Sequence, residues 1–277
     1  MAKKTVGDAR RVILFTSEKG GAGKSFGACS LIDYARSSGQ RVAAYDSDGG
    51  VGALLKLYGS RGPDGDIEMQ QDPVAGVGYY NLRNDDERST LVNACASDES
   101  VIVHDLAGGG LADLMRIQDA GAGLKRLLRA FDSTGYRVTF VHLLTNDDSA
   151  TASVATYLDM IEEAGEVGKI VDHVVVKNRL YGIRDVDFPF WVGFKDHESG
   201  ETIGGGTRTR IKNAGGVEIE LPSLDRRTAA MIKPMGIKLA DGETSRRLDL
   251  SSQQHVRNYR LDFAEAIAPA KSLLGLV

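Results

Sequence analysis

Cysteine is almost missing from this chain: Cys29 and Cys95 are the only two in 277 residues. They form no Cys-x-x-Cys pair, so neither a zinc site nor an iron–sulfur cluster has a ligand set within the chain, and both read as small core residues. Unbroken apolar runs are missing too; none approaches the roughly 20 residues that a membrane-spanning helix needs. The first 11 residues are polar and basic, lack the apolar region of a secretory leader and run directly into a strand, so a cytoplasmic location is expected. Nor is there a surplus of positive charge. The net charge is −4, which does not advertise a nucleic-acid binder, although a sum hides any segregation of charge. Internal repeats and long linkers are absent, and one large α/β domain over 1–277 is the economical organisation.

What is present is an alternation. Short apolar runs at 11–17, 41–46, 77–82, 101–105, 137–144, 171–176 and 217–221 read as strands. Between and after them, 25–38, 54–58, 86–96, 124–131, 150–164, 225–235 and 255–274 read as helices. Strands alternating with helices predict right-handed βαβ units and a mostly parallel, twisted sheet with helices on both faces. Residues 61–73, rich in Gly, Pro and Asp, predict a loop. Residues 181–216 break the rhythm. They hold the only tryptophan, Trp191, and three glycines at 204–206, and are expected to form an insertion or a mobile excursion.

Between the first strand and the first helix stands Lys19-Gly20-Gly21-Ala22-Gly23-Lys24-Ser25. Glycines let backbone N–H groups approach an anion closely, and the helix that follows adds its positive N-terminal end. A lysine supplies mobile positive charge, and a Ser or Thr hydroxyl ligates magnesium. Gly21, Gly23, Lys24 and Ser25 provide these parts in order, which predicts a nucleoside-triphosphate phosphate loop. A dinucleotide site is disfavoured, because Phe26 stands where the third glycine of that fingerprint belongs.

The usual phosphate loop opens on glycine, whereas Glu18 and then Lys19 occupy the start here. The resulting double-lysine pattern resembles the deviant Walker A ATPases, the ParA/MinD group of partition and positioning proteins. Further matches are Asp46-Ser47-Asp48 after the second strand, Asp105 at the end of the 101–105 strand, Asn178-Arg179 after a later strand, and Leu221-Pro222 followed by Asp225-Arg226-Arg227. The resemblance spans roughly residues 11–240. It implies a SIMIBI-like P-loop NTPase fold, ATP and Mg2+ as ligands, and slow hydrolysis stimulated by a partner protein. By the same resemblance Gly20, Gly21, Ala22, Gly23, Lys24, Ser25 and Phe26 cradle the nucleotide, with Asn178 and Arg179 on its base. Ser25, Asp46 and Asp105 serve the metal. Asp48 positions the attacking water, and Lys19 reaches the nucleotide of a second chain in an ATP-dependent homodimer.

The loop does not specify a cargo, and three readings stay open. In the first, a partition-type ATPase binds DNA nonspecifically through late basic residues: Arg208, Arg210, Lys212, Arg226, Arg227, Lys233, Lys238, Arg246, Arg247, Arg257 and Arg260. Interspersed acids make a mixed solvated surface the competing account, and a nucleoid-associated location would follow only from DNA binding. In the second, the tail at 270–277 is a MinD-like membrane contact. It carries one lysine and follows Pro269, so packing on the domain is favoured over a membrane. The third is an ATP-dependent small-molecule synthetase of the dethiobiotin synthetase type, with a pocket drawn from 181–216. Ser25-Phe26 and His104-Asp105-Leu106-Ala107-Gly108 depart from the partition pattern and look more like plasmid-stability or conjugal-transfer relatives.

Overall fold

The computed structural model describes residues 10–18, 20–110, 113–114 and 123–277. Seven strands form one parallel sheet: β1 (Arg10–Thr16), β2 (Ala43–Asp46), β3 (Gly78–Tyr79), β4 (Val101–Asp105), β5 (Tyr136–Leu144), β6 (Val171–Asn178) and, after a hairpin of β7 (Phe194–Lys195) and β8 (Thr202–Ile203), β9 (Val217–Leu221). Their order across the sheet is β3-β2-β4-β1-β5-β6-β9. All five residues of β4, Val-Ile-Val-His-Asp, are buried, as a strand covered on both faces requires. The register pairs Ile13 with Val103 on one side and with Thr139 on the other.

The helices of more than four residues are, among the described residues, α1 (Lys24–Ser37), α2 (Ala53–Tyr58), α3 (Gly123–Ser133), α4 (Asp148–Ala164), α5 (Gly206–Asn213), α6 (Arg226–Met235) and α7 (Leu250–Ala266). On one face of the sheet α1, α2, α6 and α7 bury Leu31, Ile32, Leu54, Ile232, Val256 and Phe263 against Ile13 and Val103. On the other, α3 and α4 bury Leu127, Leu128, Phe131 and Tyr157 against Val12, Ile102 and Phe140. From β1 the chain builds β2, β3 and β4 on one side of that strand, then β5, β6 and β9 on the other. The strand order therefore reverses at β1, and ligands of such sheets bind beyond the strand C-termini at that reversal.

Several expected boundaries move. The strand expected at 77–82 is ladder only at β3. Beyond it the chain is held by single bonds, Tyr80 N–H to Asp46 O at 3.0 Å and Leu82 N–H to Ser47 O at 3.1 Å. Residues 86–96 form only short turns of helix, at Thr90–Asn93 and Ala94–Ala96. Asn84 competes there, its side chain accepting the Asp86 N–H at 3.1 Å as an Asx turn. The last long helix begins at Leu250 because Asp249 caps it, accepting the Ser252 N–H at 2.7 Å. It ends before Pro269, and the tail then packs on the body with Leu274 and Leu276 buried. Cys29 and Cys95 are buried and free.

Residues 181–216 contain the β7–β8 hairpin and α5. Phe188, Trp191 and Ile211 form a third buried cluster with Val154 and Leu158 of α4 and Val175 of β6. Ion pairs tie the same segment to the sheet edge: Lys177 to Asp185 at 2.5 Å and Arg208 to Glu218 at 2.7 Å. Trp191 is 1 % exposed, so Trp191→Ala is expected to destabilise the protein by about 3–5 kcal/mol. Urea unfolding checks this, and a shift below about 1 kcal/mol would show the segment to be uncoupled from the rest.

Candidate functional site

The site grows from the C-terminal end of β1. The chain turns through Gly20, Gly21, Ala22 and Gly23 and enters α1 at Lys24, with Gly21 and Gly23 in the left-handed region at φ 80° and 97°. At Gly23 a Cβ would also lie 2.5 Å from Nδ2 of Asn178, so both dihedral and space demand glycine. Asn178 Nδ2 donates to Ala22 O at 2.9 Å, and the Tyr181 hydroxyl donates to Gly21 O at 2.8 Å. In a trans peptide the N–H points opposite to the carbonyl. The Ala22 and Gly23 N–H groups therefore point away from the Tyr181 hydroxyl and the Asn178 amide.

Lys24 and Asp105 are buried beside each other at the ends of α1 and β4. Burial pushes the Asp105 carboxyl up to about 7. The nearby charge of Asp46 adds to this, while the Ser25 hydroxyl bond and Lys24 oppose it. Asp105 Oδ1 is buried and has no hydrogen-bond partner among the described residues. A hydroxyl next to an unsatisfied buried carboxylate oxygen fits a hard cation such as Mg2+. Among the described residues no group of three or more His, Cys, Asp and Glu could hold a metal alone, so such an ion must bring other oxygens with it.

Asp46, the other carboxylate expected to serve the metal, accepts backbone bonds. Its Oδ1 accepts the Asp48 N–H and its Oδ2 the Leu55 N–H, both at 3.0 Å, so it anchors the start of α2. A Cβ on Gly52 would lie 2.0 Å from those oxygens, which is why glycine precedes α2. Burial raises the Asp46 pKa, and the backbone bonds lower it. Asp48 lies exposed at the rim, 3.9 Å from an Arg83 nitrogen.

Two adjoining cavities, of about 410 Å3 and 260 Å3, share Gly21, Gly23, Phe26 and Ala229. The larger continues over Lys24, Ser25, Leu57 and Lys233, the smaller over Asn178, Leu180, Pro222 and Arg226. Arg226, Ala229 and Lys233 are spaced i, i+3, i+7, so one face of α6 roofs both cavities. A third hollow of about 230 Å3 lies between α1 and α7, but its carboxylate Asp33 is already satisfied by Tyr58, Arg260 and the Ala240 N–H.

The structure thus brings Gly20, Gly21, Ala22, Gly23, Lys24, Ser25, Phe26, Asp46, Asp48, Asp105 and Asn178 to one end of the sheet. Lys19 lies outside the described residues. Arg179 is not brought to the loop: its guanidinium pairs with Glu220 and donates to Gly182 O at 3.2 Å. Of the late basic residues, Arg208, Arg210, Arg227, Arg257 and Arg260 pair with carboxylates of their own chain. Arg226 and Lys233 face the loop instead. The sequence reading missed the roofing face of α6; the i, i+3, i+7 spacing of Arg226, Ala229 and Lys233 was the available signal.

A sequence profile of the CobQ/CobB/MinD/ParA nucleotide-binding domain matches residues 13–180. No curated protein matches the chain. Among solved structures, a ParA family ATPase from Chlorobium tepidum TLS shares 15% identity, with 92% of this chain and 98% of that one covered and a TM-score of 0.48. The MinD cell division protein of Aquifex aeolicus shares 12%, with 92% and 97% covered and a TM-score of 0.46. A nucleotide-binding protein in complex with ADP from Archaeoglobus fulgidus shares 16%, with 84% and 91% covered and a TM-score of 0.44.

Proposed function

The chain belongs to the CobQ/CobB/MinD/ParA nucleotide-binding family, and from that premise we propose that it is a magnesium-dependent ATPase that works as a dimerisation switch. The observation that carries this reading is the meeting of Lys24, Ser25 and the unsatisfied, buried Asp105 at the mouth of an amide-lined loop. The loop amides and Lys24 bind the β- and γ-phosphates. Ser25 and Asp105 hold the magnesium ion, which supplies charge neutralisation on the phosphates when bound. The base enters the cavity between Asn178, Pro222 and Arg226.

Asp48 has no buried role in the fold, and its exposed carboxylate stands at the rim where water has access. It orients the water and takes its proton as that water attacks the γ-phosphorus and the bond to ADP breaks. Lys19 contributes across a pair of chains, each nucleotide being completed by the partner copy; hydrolysis then separates the two. DNA, met in the ATP state, is the cargo surface this reading favours, with a second protein stimulating hydrolysis. Among the described residues no helix is long and apolar enough to cross a membrane.

Asp48→Ala is expected to bind ATP within about threefold of wild type while hydrolysing it roughly 10²–10⁴-fold more slowly. Single-turnover hydrolysis with gel filtration in ATP checks both rate and assembly. A wild-type rate removes Asp48 from the chemistry. A gel shift with nonhydrolysable nucleotide at low and high salt tests the DNA surface, since phosphate contacts weaken as salt rises.

A further inference from the structure

Arg83 takes part in none of the motifs, yet its side chain spans the Asp48 and Gly108 segments. It lies in the turn after β3 and donates to Gly108 O at 2.9 Å. It also stands 3.9 Å from Asp48 Oδ1 and 3.5 Å from Asp113 Oδ2. Gly108 is itself close to the phosphate loop: a Cβ there would lie 3.8 Å from Lys24 Nζ and 4.0 Å from the Gly20 Cα. The Gly108 peptide therefore has one cation on its carbonyl and another near its Cα.

The segment leading into Arg83 is fixed by hydrogen bonds. Leu82 N–H bonds to Ser47 O at 3.1 Å, and Gly49 N–H bonds to Tyr80 O at 3.0 Å. The Arg83 N–H bonds to Asn81 Oδ1 at 3.0 Å. Ser47 in turn accepts the Ala107 N–H at 2.9 Å through its hydroxyl. Residues 46–49, 80–83 and 105–108 thus form one hydrogen-bonded layer, and Arg83 is the charge that reaches across it. An exposed ion pair at this distance adds little to stability, so its effect lies in geometry.

We propose that Arg83 is a positioning residue for hydrolysis: it sets the Asp48 carboxylate and the Gly108 peptide relative to each other, so that the water-orienting acid and the loop facing the terminal phosphate move as a unit. This deepens the ATPase reading given above and rests on it. The fork geometry of the guanidinium matters, because one side chain must address a carbonyl and a carboxylate together. Loss of such alignment costs rate far more than affinity.

The test is a double-mutant cycle in the full chain, comparing wild type, Arg83→Ala, Asp48→Ala and the double variant, with Arg83→Lys as the conservative control. ATP and ADP affinities are measured by calorimetry and kcat by phosphate release. Arg83→Ala is expected to keep both affinities within about threefold and to lower kcat at least tenfold. Arg83→Lys is expected to recover part of that loss. In the Asp48→Ala background the Arg83 substitution is expected to cost less than threefold more, because its effect runs through Asp48. Full multiplication of the two losses overturns the proposal, as does an unchanged kcat in Arg83→Ala. A loss of affinity for both nucleotides overturns it as well, by showing a merely structural strap. If the wild-type chain binds no ATP, the ATPase reading itself fails, and that outcome is distinct from all of these.

Discussion

Lys24→Ala is expected to weaken ATP binding by roughly a hundredfold or more. Lys24 is 8 % exposed and lies near the Gly108 peptide, so its ammonium would meet bound phosphates largely out of water. Truncating one partner of a desolvated, hydrogen-bonded charge pair costs about 2–5 kcal/mol, and each 1.4 kcal/mol is about tenfold in affinity. The substitution also removes a charge that, after the Ser25 hydroxyl bond, opposes the rise of the Asp105 pKa. Titration calorimetry with MgATP reads the effect. Affinity within threefold of wild type would show that the phosphates bind elsewhere.

The second large effect is a gain in stability from losing a site residue. Asp105 is completely buried, and its carboxyl is pushed from the ordinary 3.8 up to about 7. For an acid raised in this way, the native state holds a proton that the unfolded chain releases between those two values. The favourable contribution is complete below about pH 4 and is lost as the pH rises through about 7. Above pH 7 the empty protein therefore carries a buried carboxylate at a cost of up to a few kcal/mol. Asp105→Asn keeps an oxygen for the Ser25 hydroxyl and removes the charge. At pH 8 the nucleotide-free variant is expected to unfold at higher urea than wild type, and the gap should close toward pH 4–5. Hydrolysis by this variant should fall below detection at physiological magnesium. A variant less stable than wild type at pH 8 would mean that the Asp105 charge is already satisfied in the empty protein.

These two residues were legible in the sequence because their chemistry is local to a motif. The run from Gly20 to Ser25 announces a phosphate loop by composition alone, and Asp105 ends an apolar run that can only be an inner strand. The sheet was legible for the same reason: β1, β4 and β5 are buried on both faces and are mostly apolar, although Arg137, Thr139 and His142 interrupt β5. What the pattern hides are side chains that reach the site from afar. Arg83 bonds to Gly108, 25 residues on, and Tyr181 to Gly21, 160 residues back. No spacing rule announces such contacts. Arg179 illustrates the converse. It follows Asn178 in the motif, but β9 presents Glu220 close by and takes the guanidinium away from the loop. Residues 181–216 looked irregular because their elements are short. They are nonetheless packed through Phe188, Trp191 and Ile211, an apolar set too widely spaced to show a period.

The grip of this loop's amides on a triphosphate is tested most directly by backbone-amide NMR of the 277-residue chain titrated with MgATP. The amide signals of Ala22, Gly23 and Lys24 are predicted to move and to saturate at one nucleotide per chain, while those of the hollow between α1 and α7 stay in place. Saturable binding that leaves the three loop amides unmoved would contradict the account.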